Sequence, residues 1–97
     1  MVKTIEFLGK ENFLKICEKF SLEEKEIEAL RVIFEKWDEE IKRFKQTGRM
    51  NLGAGHKEFF RIPPEKRIRF LNALLEVVSL FKIFFHMKFI IIVNLVI

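Results

Sequence analysis

Tyrosine is absent from the chain, cysteine and tryptophan occur once each, and histidine occurs twice. The single cysteine, Cys17, excludes an internal disulfide and fits a reducing compartment. His56 and His86 lie thirty residues apart, and neither a Cys-x-x-Cys nor a Glu-x-x-His spacing occurs. Zinc-ribbon and di-iron readings therefore lack their ligands, and no metal or cofactor is expected. Glutamine, serine and threonine are scarce while Lys and Glu dominate the charge, a balance like that of thermophile proteins. The first ten residues are short and of mixed charge, unlike a signal peptide, so a cytoplasmic location is expected, with membrane association as the alternative.

What is present points to a folded helical protein. The chain is 49% hydrophobic and 33% charged, outside the range of disordered segments. Its 97 residues form one domain with one modest core. Twelve phenylalanines without a tyrosine have no physical explanation in the sequence.

The clearest element is a long amphipathic helix over residues 22–46. Ile27, Leu30, Phe34, Trp37, Ile41 and Phe44 follow one another at spacings of 3, 4, 3, 4 and 3, which places all six on one stripe. Ser21 and Glu24 have the spacing of a capping box, and Gly48 is placed to end the helix in a left-handed conformation. Glutamates lead the segment and Lys42, Arg43 and Lys45 close it, as the helix dipole favours.

Ile5, Leu8, Phe13, Ile16, Cys17 and Phe20 approximate an N-terminal stripe. Gly9 interrupts it, so the helix is placed at 10–19; helix is favoured before that as well, with a short extended segment over 2–8 as the alternative. Residues 47–63 form a basic loop containing three of the four glycines. Such a long connection usually holds an element of its own, and 56–62 is a candidate helical turn tucked onto the core. Pro64 suits the first position of a second long helix over 64–88, with Leu71, Leu74, Val78, Phe81 and Phe85 as its stripe. Its apolar face is wide and its polar stripe (Arg69, Asn72, Glu76, Ser79, Lys82, His86) narrow. Residues 89–97 are apolar except Asn94. Residues 80–97 reach the lower length limit for a membrane span, but Lys82, His86 and Lys88 interrupt them. A membrane-inserted tail is the second reading of that segment; a core or oligomer interface is the first.

Together these elements predict an all-α fold: a long antiparallel helical hairpin plus an N-terminal helix. Homo-oligomerisation through the face of 70–97 and the 27–44 stripe would complete its core.

Charge is unevenly distributed. Residues 1–41 hold 7 cations and 11 anions, residues 42–69 hold 9 and 2, and residues 70–97 hold 2 and 1. In an antiparallel hairpin, Lys42, Arg43 and Lys45 meet Lys66, Arg67 and Arg69, with Arg49, Lys57 and Arg61 between them. Cations in the first turns of a helix oppose its dipole, so their presence at 66–69 suggests an anion site. The expected function is a non-enzymatic module that binds a polyanion, such as a nucleic-acid backbone or an acidic partner, at this basic end. Phe59 and Phe60 are candidates for base stacking.

Other chemistries have less support. Gly48 to Gly53 has the GxxxxG spacing of a phosphate loop, but Ala54 stands where lysine is required. Glu35, Asp38, Glu39 and Glu40 read as a solvated face, with Asp38–Lys42 and Glu39–Arg43 as i,i+4 pairs. Cys17 reads as a buried thiol. Arg49 and His56, six residues between them, resemble the Arg-x4-6-His element of HEPN-type ribonucleases, which are small, basic, dimeric helical proteins. The resemblance implies a catalytic pair in which His56 acts as general base beside Arg49. In that family both residues ride one helix; here Gly53 and Gly55 intervene.

Overall fold

A computed structural model describes residues 3–80 of the chain. The expectations for 81–97, including Phe81, Phe85, His86 and the apolar tail, lie outside the described residues. The fold is all-α: α1 (Thr4–Leu8), α2 (Lys10–Lys19), α3 (Glu24–Thr47), α4 (His56–Arg61), a 3-10 turn (Pro64–Lys66) and α5 (Arg67–Ser79). None of these helices is long and apolar enough to cross a membrane.

Residues 4–8 are helical rather than extended because α3 supplies the cap that their own sequence lacks. The Thr4 amide donates to Asp38 Oδ2 at 3.1 Å, and the Thr4 hydroxyl donates to Asp38 Oδ1. Gly9, with φ 94°, then separates α1 from α2.

Ser21 has a different job from the one its sequence context suggests. It ends α2. The Leu22 amide donates to the Cys17 carbonyl and the Ser21 amide to the Glu18 carbonyl, both at 3.0 Å. These are the two bonds of a Schellman motif, with Ser21 at the left-handed position (φ 55°) and Leu22 buried behind it. The capping box of α3 accordingly moves two residues on. The Glu23 side chain accepts from the Glu26 amide, and the Glu26 carboxylate accepts from the Glu23 amide at 3.3 Å. At the other end Gly48 adopts φ 74°, and its amide donates to the Phe44 carbonyl at 2.8 Å, as expected.

The α3 stripe enters the core along most of its length. Leu30, Phe34 and Trp37 are buried and Ile33 joins them, whereas Ile27 and Ile41 are half-buried. Phe13, Ile16 and Cys17 of α2 and Phe70, Ala73, Leu74, Val77 and Val78 of α5 complete the core. Phe44, the last member of the stripe, remains 48% exposed.

The path between α3 and α5 decides the layout. The chain does not simply turn at Gly48 and start α5. It runs back along α3: the Asn51 amide donates to Glu40 Oε2 at 2.8 Å, and Trp37 Nε1 donates to the Ala54 carbonyl at 2.7 Å. Glu58 of α4 then pairs with Lys36, while Phe59 and Ile62 enter the core. Gly55 permits the close approach. Its φ is 87°, and a Cβ there would lie 3.1 Å from Trp37 Nε1 and 3.2 Å from Ile33 Cγ2. The start of α5 consequently lies beside the start of α3, where Lys66 and Arg69 meet Glu23 and Glu26. The expected helix start at 64 is a 3-10 turn, and α-helical geometry begins at Arg67.

Three substitutions test these turns by chemical denaturation. Ser21→Gly is expected to raise stability by about 0.5–1 kcal/mol, because glycine takes the left-handed position without a steric penalty. If Ser21 were an N-cap, the same change would lower stability. Gly55→Ala is expected to lower it by about 1–3 kcal/mol through backbone strain and the clash with Trp37 and Ile33. Gly48→Ala, where an added Cβ meets nothing within 4 Å, should cost less.

Candidate polyanion-binding surface

The nine cations expected at one basic end fall into separate groups. Three are engaged inside the fold. Lys66 Nζ lies 2.8 Å from Glu23 Oε1. Arg69 Nη2 lies 2.5 Å from Glu26 Oε1, and Arg69 Nε donates to Glu26 Oε2 at 3.3 Å. Arg67 donates to the carbonyls of Ile62 at 2.8 Å and Phe60 at 3.1 Å, and its guanidinium sits 4.9 Å from the Phe60 ring centroid. Lys66 and Arg69 at the opening of α5 thus face the acidic opening turn of α3, and this pairing offsets the charge that opposes the dipole. The Lys66 hydrogen bond and charge, followed by Arg69, hold the Glu23 carboxyl below its ordinary value. The hydrogen bond to Glu26 holds the Arg69 proton more firmly still. The expected convergence of Lys42, Arg43 and Lys45 with Lys66, Arg67 and Arg69 does not form, because the chain has run back along α3 before α5 starts.

The second group occupies the C-terminal turns of α3 and the residues after them. Lys42, Arg43, Lys45 and Arg49 are all exposed. Arg43 Nη1 lies 3.0 Å from Glu40 Oε1, the carboxylate whose other oxygen receives the Asn51 amide. The Thr47 hydroxyl donates to the Arg43 carbonyl at 2.9 Å and accepts from the Arg49 amide at 3.2 Å, which fixes the chain as it leaves the helix. An open cleft of about 630 Å³ lies here, lined by Arg43, Thr47, Arg49, Met50 and Asn51. The side chains of Lys42, Arg49 and Lys57 have no ion-pair partner among the described residues. Lys57 borders a neighbouring cleft of about 520 Å³ whose walls also carry Glu35, Glu39 and Glu58. Arg61, on α4, acts electrostatically on Glu58.

Sequence reasoning misplaced two of the carboxylates. Asp38 and Glu40 are buried rather than solvated. The expected Asp38–Lys42 and Glu39–Arg43 pairs are replaced by Asp38–Thr4 and Glu40–Arg43, because α1 and the residues around Asn51 cover that side of α3. Burial raises the Asp38 carboxyl above its ordinary value, with the Thr4 bonds acting in the opposite direction. Cys17 is buried as expected, and burial pushes its thiol up to about 11.

The two residues that resemble a ribonuclease pair do not share a helix. Arg49 lies in the cleft after α3. His56 is the first residue of α4, and its ring centroid is 4.5 Å from that of Phe60. Phe59 is buried; Phe60 is 43% exposed, with its ring in contact with both His56 and Arg67. Among the described residues, no group of three or more His, Cys, Asp or Glu is placed to hold a metal ion. Comparison with protein-family models, curated proteins and solved structures finds no match for this chain.

Glu58 gives this region a pH signature. Burial pushes its carboxyl up, but Lys36, a backbone amide and Arg61 together outweigh burial and leave it below the ordinary 4.5. Its Oε2 is buried without a hydrogen-bond partner among the described residues. A carboxyl held low in the folded state stabilises the protein at neutral pH, and that contribution is lost as pH falls through the folded value. Glu58→Gln is therefore expected to cost about 1 kcal/mol near neutral pH. The difference from wild type should shrink on acidification below the ordinary carboxylate value, as followed by thermal melts across pH.

Proposed function

We propose that this chain is a non-enzymatic helical binding module that holds a polyanion at the C-terminal end of α3. Lys42, Arg43, Lys45 and Arg49 form the surface, and Lys57 and Arg61 of α4 extend it. The observation that carries this reading is the local charge. Residues 42–61 contain six cations and one anion, Glu58, and Glu58 is already paired with Lys36. Lys66, Arg67 and Arg69 leave the proposed surface, since their guanidinium and ammonium groups serve the fold and are mostly covered; Arg43 also pairs with Glu40 but keeps 58% of its side chain exposed. Binding is dominated by contacts to the charged backbone of the ligand, which position it without reading sequence. Copies of the chain associate through the outer face of α5, where Ile68 is 74% exposed beside the half-buried Leu71 and Leu75.

The test is the dependence of affinity on salt for a labelled oligonucleotide, measured by fluorescence anisotropy. Contacts to about four phosphates predict a slope of log affinity against log salt of roughly −3. Lys42→Glu combined with Arg49→Glu should reduce both the slope and the affinity. Lys66→Glu should lower the melting temperature and leave the slope unchanged. A wild-type slope near zero would refute the assignment.

A further inference from the structure

We infer that the polyanion is a single-stranded nucleic acid, with one base stacked on the ring of Phe44 and its flanking phosphates held by Arg43 and Arg49. This rests on the polyanion reading above and names its ligand class.

Phe44 is where the α3 stripe departs from its own pattern. The three stripe members at its centre are buried and Ile27 and Ile41 are half-buried, yet a whole phenyl ring at the end stays nearly half exposed. Its neighbour one turn on is Gly48, around whose absent Cβ nothing lies within 4 Å, so the i+4 position that normally covers a helical side chain is open. Side chains three and four apart stack in rows along a helix. Phe44 and Gly48 form one row, and Arg43 and Thr47 form the adjacent row, which is one wall of the cleft that Arg49 closes. The half-exposed ring is thus bordered by the cations of that cleft, Arg43 and Arg49. The same combination is not repeated at Phe60, whose ring already meets Arg67 and His56.

Charge alone would serve any polyanion. The ring separates the candidates. Aromatic stacking is available to an unpaired base and unavailable to one held inside a duplex, and it tolerates any base because each has a π-face. An acidic peptide satisfies the cations and leaves the ring without a partner.

The experiment compares fluorescein-labelled single-stranded oligonucleotides, a duplex presenting the same number of phosphates, and a labelled polyglutamate peptide, all by anisotropy with the full chain. The wild type is expected to bind the single strands tighter than the duplex or the peptide. Phe44→Ala should weaken single-strand binding by about fivefold or more and leave duplex binding unchanged. Phe44→Leu, which keeps an apolar side chain, should show the same loss, and Phe44→Trp should retain the affinity. Circular dichroism melts confirm that each variant folds. If Phe44→Ala binds single strands as wild type does while Lys42→Glu with Arg49→Glu loses affinity, the stacking inference is overturned and the polyanion reading stands. Preference for polyglutamate or duplex likewise overturns the inference alone. Failure of the wild type to bind any of the three ligands overturns both.

Discussion

Glu26 is 3% exposed and carries a carboxylate, so the fold must bring it a cation. Arg69, forty-three residues further along the chain, supplies two nitrogen donors to its two oxygens. Leaving such a group buried and unpaired costs several kcal/mol, more than most single contacts in a domain of this size contribute. The pairing therefore constrains everything between the two residues. The opening of α5 has to lie at the opening of α3. The intervening chain has to travel back along α3, and it does so through the Asn51–Glu40, Trp37–Ala54 and Lys36–Glu58 contacts. Gly55 is required where that returning chain touches Ile33 and Trp37. In the last turns of α3, Phe44 stays 48% exposed, next in sequence to Arg43.

Structure and proposed function are linked through the same constraint. A count of charges along the sequence treats every lysine and arginine between 42 and 69 as equivalent. In the fold they divide by what lies opposite them. Lys66 and Arg69 face the glutamates that cap α3, and Arg67 holds the carbonyls that lead into the 3-10 turn. Lys42 and Arg49 face solvent at the far end of the long helix. The proposed ligand surface is consequently smaller than the charge map suggests, and it lies at the C-terminal end of α3.

Local signals were legible in the sequence. The boundaries of α2, the stripe of α3 and the left-handed Gly48 follow from spacing and capping chemistry within a few residues of each other. The short helix at His56 was legible too, from the apolar residues packed into an otherwise long connection. Ser21 shows the limit of such rules. Serine suits both the start of one helix and, less often, the end of another, and the choice depended on Leu22 finding a place in the core. Asp38 shows a second limit, because its partner, Thr4, is thirty-four residues away. Periodicity identified Phe44 as a member of the apolar stripe, but whether a stripe is covered depends on how far the neighbouring elements extend. The path of the chain after Gly48, and with it the division of the cations, was beyond local pattern for the same reason.

The most direct test is a comparison of two distances by paired spin labels in a Cys17→Ala background. One pair joins Lys25, at the start of α3, to Glu65, in the 3-10 turn that leads into α5; the other joins Gln46, at the end of α3, to Glu65. All three positions are exposed. A chain that returns along α3 to satisfy Glu26 gives a short distance from 25 to 65 and a distinctly longer one from 46 to 65, since α3 is about 36 Å long. A shorter distance from 46 than from 25 would place the start of α5 at the basic end of α3. It would contradict both the pairing of Glu26 with Arg69 and the division of the basic surface that follows from it.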